Sequence, residues 1–145
     1  EGAMLNTQYA KDAFKELEED SDFVADKERL ELLQSEGQEL VEKFQKDNET
    51  LSDEQKLDVQ KKIQDKQNEI QFLANKLQTK QQEAAQAVVA AWAQDFQAVL
   101  SELINAKKIE LVVTPQSLFY AKLELDITDD VTSGLDVRLA KKSEE

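Results

Sequence analysis

Apolar residues fall at every seventh position from Ile63 through Ile70, Leu77 and Ala84 to Ala91. A sustained seven-residue repeat marks a long helix with a seam along one side. The stretch that carries it, Asp53 to Lys108, contains no Gly and no Pro and is dense in Gln, Lys, Glu, Ala and Leu. As helix, at about 1.5 Å per residue, it runs on the order of 80 Å and needs a partner along its length. Upstream, Phe23, Leu30, Leu33, Gly37, Leu40 and Phe44 step at the a/d spacing of a second seam. Between the two, Asp47 to Gln55 breaks the pattern. Ser52 with Gln55 has the form of a capping box, and Asp53 and Glu54 suit a helix N-terminus. The chain is therefore expected to make an antiparallel helical hairpin, the first helix ending near Asp47 and the second starting at Asp53. The seam is imperfect: Lys66 and Lys80 stand where it wants apolar groups, and Phe72 lies off it.

At the N-terminal end, Asn6 or Thr7 is placed to cap a helix carrying Tyr9, Ala13, Phe14 and Leu17 at helical spacing. The acidic run Glu18-Glu19-Asp20-Ser21-Asp22 reads as a solvated face, with Ser21 or Asp22 able to cap a restarted helix after a kink. Beyond Ala84 the long helix becomes apolar around most of its circumference, through Val88, Val89, Trp92, Phe96, Val99, Leu100, Leu103 and Ile104. Such a helix is buried on several sides, and Trp92 and Phe96 are expected in a core. Lys108 to Thr114 reads as a β-strand, Thr114-Pro115-Gln116 as a turn and Ser117 to Tyr120 as a second strand, with Leu123, Leu125 and Ile127 continuing the extended chain. Thr128 is placed to cap a final helix with Val131, Leu135 and Leu139 on one face, which Gly134 weakens and Lys141 and Lys142 complete. The tail Ser143-Glu144-Glu145 is expected to fray.

These elements predict an α+β fold. A hairpin over residues 23–104, with its turn near 48–52, stands on a small β-rich body formed by residues 1–22 and 105–145. Two or three short strands do not make an independent sheet, so the body calls for other chains or for residues ahead of Glu1.

Charge narrows the functions. The 145 residues carry a formal net charge of −13, which disfavours nucleic acid and anionic membrane surfaces as partners. The basic groups concentrate in residues 42–82, where eight basic side chains balance eight acidic ones. With no Cys and no His, the chain lacks the usual ligands for transition metals and the usual general base. With three Gly and no phosphate-binding loop, no catalytic constellation or cofactor site can be named, and an enzyme is not expected. No apolar run reaches membrane-spanning length. Glu1 is not an initiator Met, and the residues are expected to be a trimmed or mature portion.

The order of the C-terminal elements resembles a known family. Lys108-Ile109-Glu110-Leu111-Val112-Val113, a turn, a segment ending Phe119-Tyr120, and then Asp126-Ile127-Thr128-Asp129-Asp130-Val131 follow a long hairpin as they do in the Skp/OmpH periplasmic chaperones. Leu5-Asn6-Thr7-Gln8-Tyr9-Ala10-Lys11 and Phe14-Lys15-Glu16-Leu17-Glu18 are similar to that family's first-helix region. The resemblance implies a homotrimer whose protomers pool strands into a central β-barrel. Three hairpins would hang from it as tentacles around a cavity that holds unfolded outer-membrane β-barrel proteins in the periplasm without ATP. Two departures stand out. The family carries an apolar strand before the position of Glu1, and its well-studied members are basic. A lipopolysaccharide site suggested for the family uses basic residues late in the second helix, but there is no Lys or Arg between Lys80 and Lys107, so that site is not carried over.

The resemblance assigns Leu111, Val112, Val113, Leu118, Phe119 and Tyr120 to trimerisation. Client contact is expected at Phe72 and Leu73, with Lys62 and Lys66, through many weak and exchanging contacts. Each has a plainer reading, Leu73 as hairpin seam and the Lys residues as solvated or paired with neighbouring acids. A structural coiled-coil scaffold and a cytoplasmic prefoldin-like chaperone are the rival classes. The loose seam counts against the first, and a signal peptide ahead of Glu1 would exclude the second.

Overall fold

The structure, a computed structural model, describes residues 2–143; the expected fraying of Glu144 and Glu145 lies outside them. Helix, the 3-10 turns included, accounts for 84% of the described residues, and no strand occurs among them. The helices are α1 (Gly2–Leu5), α2 (Gln8–Glu19), α3 (Ser21–Asp47), α4 (Asp53–Lys107) and α5 (Thr128–Ser143). The chain divides into two compact units, Leu17–Gln82 and Glu1–Glu16 with Glu83–Glu145.

In the first unit α3 and the first half of α4 form the hairpin. The break before α3 is made by Asp20, not by Ser21 or Asp22. Its backbone is extended and its carboxylate accepts from the Phe23 amide at 2.9 Å. At the other end of α3 the chain turns through residues 48–52 and restarts on a full capping box. The Ser52 amide donates to Gln55 Oε1 at 2.9 Å, and the Gln55 amide donates to Ser52 Oγ at 3.3 Å. Phe23, Leu33, Leu73 and Leu77 are the buried seam.

Beside that seam runs a ladder of ion pairs, which explains the two seam lysines. Lys80 Nζ stands 3.5 Å from Asp20, and Lys76 straddles both carboxylate oxygens of Asp26 at 2.9 and 2.7 Å. Arg29 meets Glu69 at 3.1 Å, and Lys66 pairs with Glu36. Lys66 and Lys80 are thus rungs that fix register. Partly exposed pairs of this kind contribute only about 0–1 kcal/mol each, so their effect is on alignment more than on stability.

In the second unit a core of Ala3, Met4, Ala10, Val88, Trp92, Val99, Val131 and Leu135 is flanked by Phe14, Phe96, Leu100, Leu103 and Leu139. One buried hydroxyl organises its N-terminal part. Thr7 Oγ1 donates to the Met4 carbonyl at 2.7 Å and accepts from the Ala10 amide at 3.2 Å, which makes Thr7 the cap of α2. It also accepts from Trp92 Nε1 at 3.2 Å, and Tyr9 meets the Trp92 ring edge-on at 5.7 Å. Helix α5 holds the N-terminal residues directly: Thr132 Oγ1 donates to the Ala3 carbonyl at 3.0 Å, and Asp136 accepts from the Gln8 amide at 2.8 Å. Arg138 links α5 to α4 through Asp95 and Glu102. The Asp126 carboxylate accepts from the Thr128 amide at 2.9 Å and leads into α5, so Thr128 opens the helix with Asp126 beside its first turn. The Asp126 carboxyl is held below its ordinary range, first by the Thr128 side chain and then by this amide.

The β-rich body is overturned. Helix α4 ends in a Schellman-type cap, with Lys108 at φ 53° and the Ile109 amide bonded to the Ile104 carbonyl at 3.0 Å. The segment that follows is extended at Thr114, Leu118, Lys122 and Asp126 and is interrupted by 3-10 turns at Pro115–Ser117 and Leu123–Leu125. Its backbone has strand-like dihedral angles without a ladder. Apolar, β-branched composition favours those angles, but a strand exists only where a second row of N–H and C=O groups pairs with it. The described residues offer no such row, and the fold is all-helical rather than α+β.

Candidate interaction surfaces

The segment between Lys108 and Thr128 concentrates uncovered apolar surface. Leu111, Val112, Val113, Leu118, Phe119, Tyr120, Leu123 and Leu125 are all exposed, Leu111 at 76% and Phe119 at 107% of full exposure. A soluble chain seldom leaves so many large apolar groups in one contiguous stretch unless something covers them. The six residues expected at a trimer interface are therefore together and accessible. Leu123 and Leu125, equally exposed, extend the same surface. Their alternation with Glu124 and acidic Asp126 was the available signal.

The hairpin residues expected to touch a client are not gathered on one face. Phe72 is exposed, at 66%, whereas its neighbour Leu73 is buried in the seam. Lys62 pairs with Asp58 one turn earlier at 2.7 Å, and Lys66 is the Glu36 partner. Hydrogen bonding from Lys66, with its charge, holds the Glu36 carboxyl below the ordinary range. Asp20 is lowered too, first by the Phe23 amide and then by Lys80. Exposed Val24, Leu32 and Leu57 were missed as surface apolar groups. Their heptad phase, off the seam like that of Phe72, could have found them.

An open groove of about 510 Å³ lies at the turn end of the hairpin. Leu40 and Phe44 of α3, Leu51 of the turn and Val59 of α4 line it with Lys43, Asp47, Glu54 and Lys62. Among the described residues no group of three or more His, Cys, Asp or Glu is disposed to hold a metal ion. No described helix is long and apolar enough to cross a membrane.

The outer membrane protein (OmpH-like) family matches residues 1–135, and the chain belongs to that family. Members of that family are chaperones and not enzymes. No curated protein and no solved structure matches the chain.

Proposed function

We propose that this chain is an ATP-independent holdase of the periplasm, acting as a homotrimer that shelters unfolded outer-membrane β-barrel proteins between its hairpins. The observation that carries this reading is the uncovered stretch from Leu111 to Leu125. Its exposed side chains are bulky, and in the trimer each copy's stretch is covered by the other two copies. Membership of the OmpH-like family supports the client class. The hairpin supports the mode of holding. Its outer portion, residues 42–82, has no net charge, so it neither repels nor clamps an unfolded chain by its overall field. Scattered apolar groups such as Phe72 give weak contacts that exchange, and several hairpins acting together add avidity.

The test dilutes a urea-unfolded outer-membrane porin into buffer with this protein and follows light scattering. Suppressed aggregation is expected, and unchanged aggregation at a molar excess of trimer sinks the holdase. Separately, light-scattering mass should read three copies. Phe119→Ser with Leu111→Ser should shift that mass towards one copy while the helical circular dichroism persists. A wild-type mass of one copy refutes the trimer.

A further inference from the structure

We propose that the turn end of the hairpin is a docking groove for a bulky apolar side chain of an extended polypeptide. This deepens the holdase reading and rests on it.

The hairpin is closed unequally. In its inner half the seam residues Phe23, Leu33, Leu73 and Leu77 are buried. The ion-pair rungs also lie there, the outermost being Glu36–Lys66. Beyond that rung the seam positions Leu40, Phe44, Leu51 and Val59 are only half-buried, although they face inward from both helices and the turn. The space between them is the groove of about 510 Å³. An aromatic or large aliphatic side chain entering it would bury four apolar surfaces that the hairpin itself leaves partly wet, and burial of that kind is the main driving force for association.

The lining selects the occupant. Its floor is aliphatic and aromatic. The rim sets Lys43 and Lys62 against Asp47, Glu54 and Asp58, and Lys62 is already held by Asp58. A rim so nearly balanced offers no strong field to a charged ligand, which leaves an uncharged apolar side chain as the complementary group. Among the described residues no ion pair joins α3 to α4 beyond Glu36–Lys66. Extended polypeptide is the form that presents such side chains one at a time on one face.

The chain has no Cys, so Glu49→Cys, exposed in the turn and outside the groove lining, places a single environment-sensitive fluorophore beside the groove. Glu28→Cys carries the same fluorophore on the inner half as a control. The probe is a short capped peptide alternating Phe with Thr, and a second peptide alternates Ala with Thr. The expected result is a saturable blue shift at position 49 with the Phe peptide, none at position 28 and none with the Ala peptide. Phe44→Ala should weaken the response while helicity is kept. No shift at position 49, with porin aggregation still suppressed, overturns the groove and leaves the holdase standing. A shift at position 49 with unsuppressed porin aggregation supports the groove and refutes the holdase. A shift that grows with protein concentration in the absence of peptide, accompanied by a rise in mass, makes a second copy the occupant and overturns the proposal.

Discussion

Two glycines on long helices should respond to the same substitution with opposite sign. At Gly134 an added Cβ would stand 2.5 Å from Val99 Cγ1, with Val99 Cγ2 and Cβ at 3.5 and 3.6 Å. Carbon pairs prefer about 3.5–4.0 Å, so α4 and α5 would have to separate by roughly 1 Å or Val99 would have to turn. Val99 is buried, as are Val131 and Leu135 beside Gly134, and a β-branched side chain in a helix has essentially one rotamer to occupy. The overpacking cost is about 1–3 kcal/mol. Against it stands the helix-propensity gain of Gly→Ala, about 1 kcal/mol. Gly134→Ala should therefore destabilise by about 1 kcal/mol, up to about 2 kcal/mol if neither helix yields. At Gly37 the nearest atom is Ile70 Cδ1 at 3.7 Å, an ordinary contact. There only the propensity gain remains, and Gly37→Ala should stabilise by about 0.5–1 kcal/mol. The assay is urea unfolding, read by Trp92 fluorescence for the unit that holds Gly134 and by far-UV circular dichroism for the hairpin. Val99→Ala in the Gly134→Ala background should recover part of the loss. If Gly134→Ala raises the midpoint as Gly37→Ala does, the close approach of α4 and α5 is not what the glycine serves.

Three further outcomes follow from single contacts. Lys108 occupies left-handed backbone at φ 53°, which costs an ordinary residue about 1 kcal/mol, so Lys108→Gly should raise the thermal midpoint and Lys108→Val should lower it; the reverse order would discredit the cap. Thr7→Val removes the hydroxyl shared by Met4, Ala10 and Trp92. It should cost about 1–3 kcal/mol and shift Trp92 emission, and an unchanged spectrum would contradict the indole bond. The Glu36 carboxyl is lowered by Lys66. Its stabilisation is complete above the ordinary glutamate value of about 4.3 and is lost as pH falls through the lower folded value. Glu36→Gln should therefore flatten that acid limb of hairpin stability, and identical limbs for the two proteins would remove the pair from the account.

The helix boundaries were legible because they rest on local chemistry. The side chains of Ser52 and Gln55 each accept from the other's backbone amide, and their spacing suffices to read them. The apolar circumference around Trp92 was legible for a similar reason, since a helix with no polar face has to enter a core. The strands were not. Ile109 to Val113 and Leu118 to Tyr120 have strand-like composition, but a strand is a relation between two segments, and the second is missing from one chain. Lys66 and Lys80 looked like flaws because an a/d template counts apolar groups and does not see the acids across the hairpin. Gly2–Leu5 is too short to show any period, yet it places Ala3 and Met4 in the core. The groove around Leu40 and Phe44 was illegible for the converse reason. Heptad phase says which residues face inward, and not whether the facing side chains are large enough to meet.

The hydrogen bonds from Thr132 to Ala3 and from Gln8 to Asp136 join residues 129 and 128 positions apart. The rungs of the hairpin connect residues separated by far less, 30 for Glu36 and Lys66 and 50 for Asp26 and Lys76. Loop-closure entropy favours the shorter connections first, so the hairpin can zip outward from its turn while the ends of the chain are still apart. Each rung formed removes chain from the loop that the ends have still to close. During synthesis the segment holding Ala3 and Gln8 waits until its partners on α5, 129 and 128 residues further along, have been made. Until then Ala3, Met4 and the Trp92 face lack their cover, and the OmpH-like chain is itself, for that interval, an unfolded polypeptide with exposed apolar groups.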